Sequence, residues 1–227
     1  MLPFTNKFIQ MMNFKNIFFR HIPILLLLGL SSMRIAAADT LLILGDSLSA
    51  GYQLPIQQAW ATQLSERWKN TPGAPQIINA SISGDTAAQG LDRLPELLKN
   101  HQPHWVLIEM GANDGLRGFP PADIERDLSQ IITLVKQAKA QPLLMQIRIT
   151  PNYGRRYTES FAAIYPKLAE QYQVPLLPFF MEKVVIKPEW MQPDGLHPTA
   201  DVQPFIADFM EQTLAPYVGL TPAKQAK

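Results

Sequence analysis

Five short apolar runs that do not alternate with polar residues constrain this chain most. They are Thr40-Leu41-Leu42-Ile43-Leu44, Ile77-Ile78-Asn79-Ala80, Trp105-Val106-Leu107-Ile108, Leu143-Leu144-Met145-Gln146 and, more weakly, Val174-Pro175-Leu176-Leu177. A strand with one wet face alternates apolar and polar residues, whereas a run apolar at every position needs cover on both faces, as in a parallel sheet. The intervening segments carry a helical period. From Ile124, the residues Leu128, Ile131, Ile132, Val135 and Ala138 recur every three or four positions, which places them on one helix face. Residues 157–172 and 203–214 read the same way, with Pro204 in the first turn of the latter. Strands alternating with helices imply a three-layer α/β/α sandwich around a central parallel sheet of about five strands. In such sheets ligands bind beyond the carboxyl ends of the strands.

The first residues read as a leader rather than part of this fold. Lys15, Arg20 and His21 precede the apolar run 22–30, which leads to Ala36-Ala37-Ala38. That order is a signal peptide with a small-residue cleavage site, expected over 1–38, with Met11-Met12 as an alternative start. The run is shorter than the roughly 20 residues a bilayer demands, so no stable membrane insertion is expected after cleavage. Residues 39–227 then form one domain, with a frayed polar tail from Thr221. The chain has 20 Lys and Arg against 19 Asp and Glu. The leader takes Lys7, Lys15, Arg20 and Arg34 and no acid, so the remainder is slightly acidic and gives no reason to expect nucleic acid. No cysteine is present, which removes disulfides, thiolate metal sites and cysteine nucleophiles together.

Four separated segments carry chemistry: Gly45-Asp46-Ser47-Leu48-Ser49, Ser83-Gly84-Asp85-Thr86, Gly111-Ala112-Asn113-Asp114 and Asp194-Gly195-Leu196-His197-Pro198. The first three follow strands one, two and three. A serine hydroxyl is a poor nucleophile unless an imidazole takes its proton. Beyond the leader the histidines are His101, His104 and His197. His197 stands three residues after Asp194, a spacing that lets one turn hold a carboxylate on Nδ1 and leave Nε2 for Ser47. Each piece alone has an ordinary alternative. Ser47 could cap a helix, Asp194-Gly195 and Asn113-Asp114-Gly115 are turn sequences, and Asp194 with His197 could be metal ligands. The four in this order, at converging strand ends, favour the catalytic reading. His101 and His104 flank Pro103 and read as surface residues, Asp46 and Asp114 as loop-orienting hydrogen-bond acceptors. Trp60, Trp68, Trp105 and Trp190 read as packing.

The four segments resemble the sequence blocks of the SGNH hydrolases, also called the GDSL family, and the likeness runs the length of residues 39–227. The resemblance implies a flavodoxin-like fold and a metal-free serine hydrolase, with Ser47, Asp194 and His197 as triad. It also implies oxyanion donors from the backbone of Ser47 and Gly84 and the amide of Asn113. Position 49 is serine where the nucleophile elbow Gly-x-Ser-x-Gly needs glycine, which disfavours the α/β-hydrolase fold.

Two loops at the catalytic edge are unusually apolar: 116–121 with Leu116 and Phe119, and 147–151 with Ile149 and Pro151. These four residues are candidates for an acyl groove, although Leu116 and Phe119 would equally serve to cap the core. Gly115 and Gly118 could act as hinges of the first loop. Arg148, Arg155 and Arg156 could meet a phosphate or remain solvated charge. The expectation is a monomeric periplasmic esterase of acyl thioesters and esters (acyl-CoA, lysophospholipid, aryl esters) that uses no cofactor or metal. The alternatives are a carbohydrate or peptidoglycan O-acetyl esterase, a non-catalytic acyl- or lipid-binding periplasmic protein, and a metal-dependent phosphoesterase.

Overall fold

The computed structural model describes residues 39–221. The expected leader, residues 1–38, and the tail beyond Thr221 lie outside the described residues. Five parallel strands form the sheet: β1 (Thr40–Gly45), β2 (Gln76–Asn79), β3 (Trp105–Glu109), β4 (Gln141–Met145) and β5 (Leu176–Leu177), in the order β2-β1-β3-β4-β5. The fold is α/β, as the non-alternating runs require: Leu41 to Leu44 and Val106 to Ile108 are wholly buried. The weakest of the five runs gives the shortest strand, which begins directly after Pro175.

The helices are α1 (Ser47–Ala50), α2 (Trp60–Lys69), α3 (Ala87–His101), α4 (Ala112–Leu116), α5 (Pro121–Gln137), α6 (Arg155–Tyr172), α7 (Met181–Val184) and α8 (Gln203–Leu214). The periodic stretches correspond to α5, α6 and α8, and Pro204 does sit in the first turn of α8. Helices α2 and α3 lie outside those periodic stretches, yet both carry signals. Trp60, Leu64 and Trp68 are four apart and buried in α2, and Thr86 with Gln89 forms a reciprocal capping box at the start of α3. Helix α2 packs on α8, while α3 packs on α5 and α5 on α6. Gln203 Oε1 accepts from the Trp60 N–H at 2.9 Å and ties α8 to α2.

Strand β1 pairs with β2 on one side and β3 on the other. Chain direction out of the sheet therefore reverses between β1 and β3, and the loops there part to leave a crevice. Among the described residues no helix is long and apolar enough to cross a membrane.

Candidate active site

Ser47 begins α1, one residue beyond β1, and Asp46 caps that helix by accepting from the Leu48 N–H at 3.0 Å. The side chain of Ser47 is thereby presented at the β1/β3 crevice. The segment 190–199 reaches it as a closed loop. Met191 and Pro198 form an antiparallel bridge, the Gln192 N–H donates to His197 O at 2.7 Å, and the Gln192 side chain donates to Pro198 O and Tyr52 O. Within this loop Asp194 Oδ1 accepts from the N–H groups of Leu196 and His197 at 2.9 and 3.0 Å. Its other oxygen lies 2.7 Å from His197 Nδ1, and His197 Nε2 lies 2.8 Å from Ser47 Oγ. Partial burial alone would raise the Asp194 pKa, but the ring of His197 and the two backbone donors outweigh it and hold the carboxyl below its ordinary range. An ionised acceptor on Nδ1 keeps that nitrogen protonated and leaves Nε2 to accept from Ser47. Tyr52 packs against the imidazole with ring centroids 4.3 Å apart and planes inclined at 32°.

The N–H groups of Ser47 and Gly84 find no acceptor among the described residues. Both line the same cleft as Asn113. Asn113, in α4, donates from Nδ2 to Asp46 Oδ2 at 3.1 Å and to Asp85 O at 3.0 Å. Both amide hydrogens are thus engaged. Asp46 and Asp114 are buried acceptors: Asp114 Oδ2 takes the Ala87 N–H at the start of α3. Burial is the main cause that pushes Asp46 up to about 7 and also raises Asp114. His101 and His104 are exposed, with His104 beside Asp39. Trp60 and Trp68 are core, while Trp105 and Trp190 pack at its margin.

The cleft around Ser47 and His197 has a volume of about 320 Å³. Leu116 and Ile149 line it, whereas Phe119 and Pro151 do not. Phe119 turns outward at 39% exposure, and its carbonyl accepts from Tyr157 Oη. Pro151 opens an exposed helical turn. The apolar walls are completed by Leu48 and Leu196, which lie inside two of the four segments, and by Phe179, Met181 and Val185, which no motif marks. Gly115 is glycine for space, since a Cβ there would lie 2.7 Å from Ile149 Cγ2 and 2.8 Å from Phe161 Cε2. Gly118 has φ +70° and open space around it, so it is glycine for its backbone conformation. Arg148 pairs with Glu182 and Arg155 with Glu159. Among the described residues no three His, Asp or Glu side chains are grouped so as to hold a metal ion.

Residues 43–203 match the model of the GDSL-like Lipase/Acylhydrolase family. The chain belongs to that family. Its GDSL block is the β1–α1 turn, and the family's hydrolase character agrees with a serine and an imidazole at hydrogen-bond distance. The chain is 61% identical over 208 residues to thioesterase 1/protease 1/lysophospholipase L1 of Escherichia coli K12, covering 92% of this chain and 98% of that protein. It is 54% identical over 182 residues to an arylesterase of Vibrio mimicus, covering 80% and 91%. The crystal structure of the psychrotrophic esterase EstA from Pseudoalteromonas sp., inhibited by monoethylphosphonate, superimposes with a TM-score of 0.78 at 40% identity, over 80% of this chain and 99% of that one.

Proposed function

We propose that this GDSL hydrolase is a periplasmic serine esterase that cleaves acyl thioesters and acyl esters, lysophospholipids among them, through an acyl-enzyme. The observation that carries the reading is the relay Asp194–His197–Ser47, with contacts of 2.7 and 2.8 Å, at the edge of an apolar cleft. Ser47 Oγ attacks the acyl carbonyl while His197 Nε2 takes its proton. The carbonyl oxygen becomes an oxyanion facing the free N–H groups of Ser47 and Gly84, with Asn113 Nδ2 as third donor. Collapse expels the alcohol or thiol, which receives the proton from His197. Water then enters by the same route in reverse: His197 removes its proton, the acyl ester on Ser47 breaks, and Ser47 recovers its hydrogen. The N-terminal leader supports export, and the names of the E. coli and V. mimicus relatives support the ester and thioester classes.

The walls favour a fatty acyl chain over acetyl, because Leu48, Leu116, Ile149, Phe179, Met181 and Val185 offer methylenes a dry surface worth about 0.8 kcal/mol each. Hydrolysis of a p-nitrophenyl ester series from acetate to palmitate, with chelator present, tests this. Turnover should rise beyond acetate and vanish in Ser47→Ala. Acetate-only turnover would replace the reading with an O-acetyl esterase. Acyl binding without turnover, and without labelling of Ser47 by a phosphonate, would replace it with a binding protein.

A further inference from the structure

Beneath the nucleophile lies a buried acid that the steps above do not use. Glu109 ends β3 opposite Gly45 of β1 and is completely buried, as is Asp46. Its Oε2 accepts from Ser49 Oγ at 2.8 Å and from the Asp46 N–H at 3.3 Å, carrying the β1/β3 ladder one rung into the turn that holds Ser47. Its Oε1 finds no donor among the described residues. We propose that Glu109 is a positioning residue for acyl transfer, a neutral acid that shares its proton with Asp46 and so locks the Ser47 turn and the Asn113 amide in place. This rests on the serine-esterase reading only for what is being positioned.

Charge and space both point this way. The two side chains are both wholly buried, Glu109 Oε2 accepts from the Asp46 N–H, and neither carboxyl group forms an ion pair with a described residue. The groups packed around them are Ser49 from α1, Ser81 after β2, Asn113 and Asp114 from α4, Tyr165 from α6 and Arg93 from α3. Arg93, the cation of this set, is committed to Asp85 Oδ2 and the carbonyls of Ala80 and Gly45. Tyr165 Oη donates to Met110 O. Two ionised carboxylates side by side in such a site would repel with little solvent to screen them, so one proton stays. An oxygen that faces no donor is the natural place for it. Burial, then the neighbouring charge of Asp46, pushes Glu109 well above the carboxylate range. The contact is also built in sterically. A Cβ at Gly45 would stand 2.7 Å from both Glu109 Oε2 and Ser81 Oγ. From Glu109 the path continues through Asp46, whose Oδ1 caps α1 and whose Oδ2 holds Asn113 Nδ2. A shift of the acid is thereby felt at both the nucleophile and an oxyanion donor.

Glu109→Gln keeps a neutral group able both to donate and to accept, whereas Glu109→Ala leaves Ser49 Oγ and the Asp46 N–H unpaired. The Gln variant should keep kcat for a short aryl ester within about threefold, and the Ala variant should lose roughly 30-fold or more in kcat with KM little changed. Difference infrared spectra of the native and Gln proteins at about pH 8 should show a protonated-carboxyl C=O band that disappears in the Gln protein. Absence of that band, or a Gln variant as impaired as the Ala variant, would overturn the proposal. The infrared and Gln measurements decide it even where Glu109→Ala does not fold. The infrared measurement is also independent of the esterase reading, which stands or falls on Ser47→Ala.

Discussion

Replacing Asp194 by asparagine isolates what the carboxylate does for His197. Oδ1 is held by two backbone donors, the N–H groups of Leu196 and His197, at 2.9 and 3.0 Å. An asparagine keeping its oxygen there turns its NH₂ toward His197 Nδ1, forcing the ring proton onto Nε2, where it faces Ser47 as a donor. The base is then in the wrong tautomer. Flipping the amide restores the correct one but sets a donor against two donors. At about 1 to 1.5 kcal/mol per bond, the flip is disfavoured by roughly 2 to 3 kcal/mol. Turning the ring instead would lose the Tyr52 contact. Loss of the charge that stabilises the imidazolium adds about 1 kcal/mol, a small figure because a side chain 35% exposed is screened by water. The sum corresponds to a fall in kcat of roughly two to three decades. Steady-state hydrolysis of an aryl ester measures it, with KM nearly constant and a thermal melt to verify folding. A folded Asp194→Asn protein retaining more than about a tenth of native kcat would refute the tautomer argument.

Gly45→Ala should cost about 1 to 3 kcal/mol of stability by overpacking against Glu109 and Ser81, read as a lowered urea midpoint, and an unchanged midpoint would mean that the turn yields freely. Val185 lines the cleft at 51% exposure, so Val185→Asp should lower kcat/KM for decanoyl esters by roughly four- to tenfold and leave acetate unaffected. Equal losses at both chain lengths would remove Val185 from the acyl path. Asp46, Asp114 and Glu109 are all raised, chiefly by burial, so their contribution to stability is complete below the ordinary carboxyl range and is lost as pH rises, through about 7 for Asp46. The urea midpoint should therefore be higher at about pH 5.5 than at about pH 8, and Asp46→Asn should reduce the difference. Asp194, which is lowered, acts in the opposite sense, its contribution being lost only as pH falls below the ordinary carboxyl range.

Ser47, Asp194 and His197 are visible in the chain because two of their constraints are local. Ser47 must follow a buried strand, and Asp194 and His197 must share one turn. Leu116 and Ile149 were visible for a weaker reason, apolar residues in loops that ought to be polar. The same reasoning over-reached at Phe119 and Pro151, since an apolar loop residue does not reveal which way it points. Tyr52 gave no signal, because packing against His197 depends on two loops separated by most of the chain. Glu109 did leave a trace: a carboxylate ending an otherwise apolar run is costly to bury without a partner. Its partner, Asp46, becomes apparent only when β1 and β3 are neighbours.

The chain by itself determined the class of architecture and the residues proposed for the chemistry. Non-alternating strands demand cover on both faces, and a serine after a buried strand with a carboxylate and an imidazole in one turn is the set that acyl transfer uses. Tertiary structure alone decided which strands adjoin, and with that the place of the crevice between β1 and β3. It also decided that Phe179, Met181 and Val185, far along the chain from Ser47, would wall the cleft. Such contacts depend on packing among surfaces that many sequences could fill, whereas hydrophobic period and turn chemistry are written residue by residue.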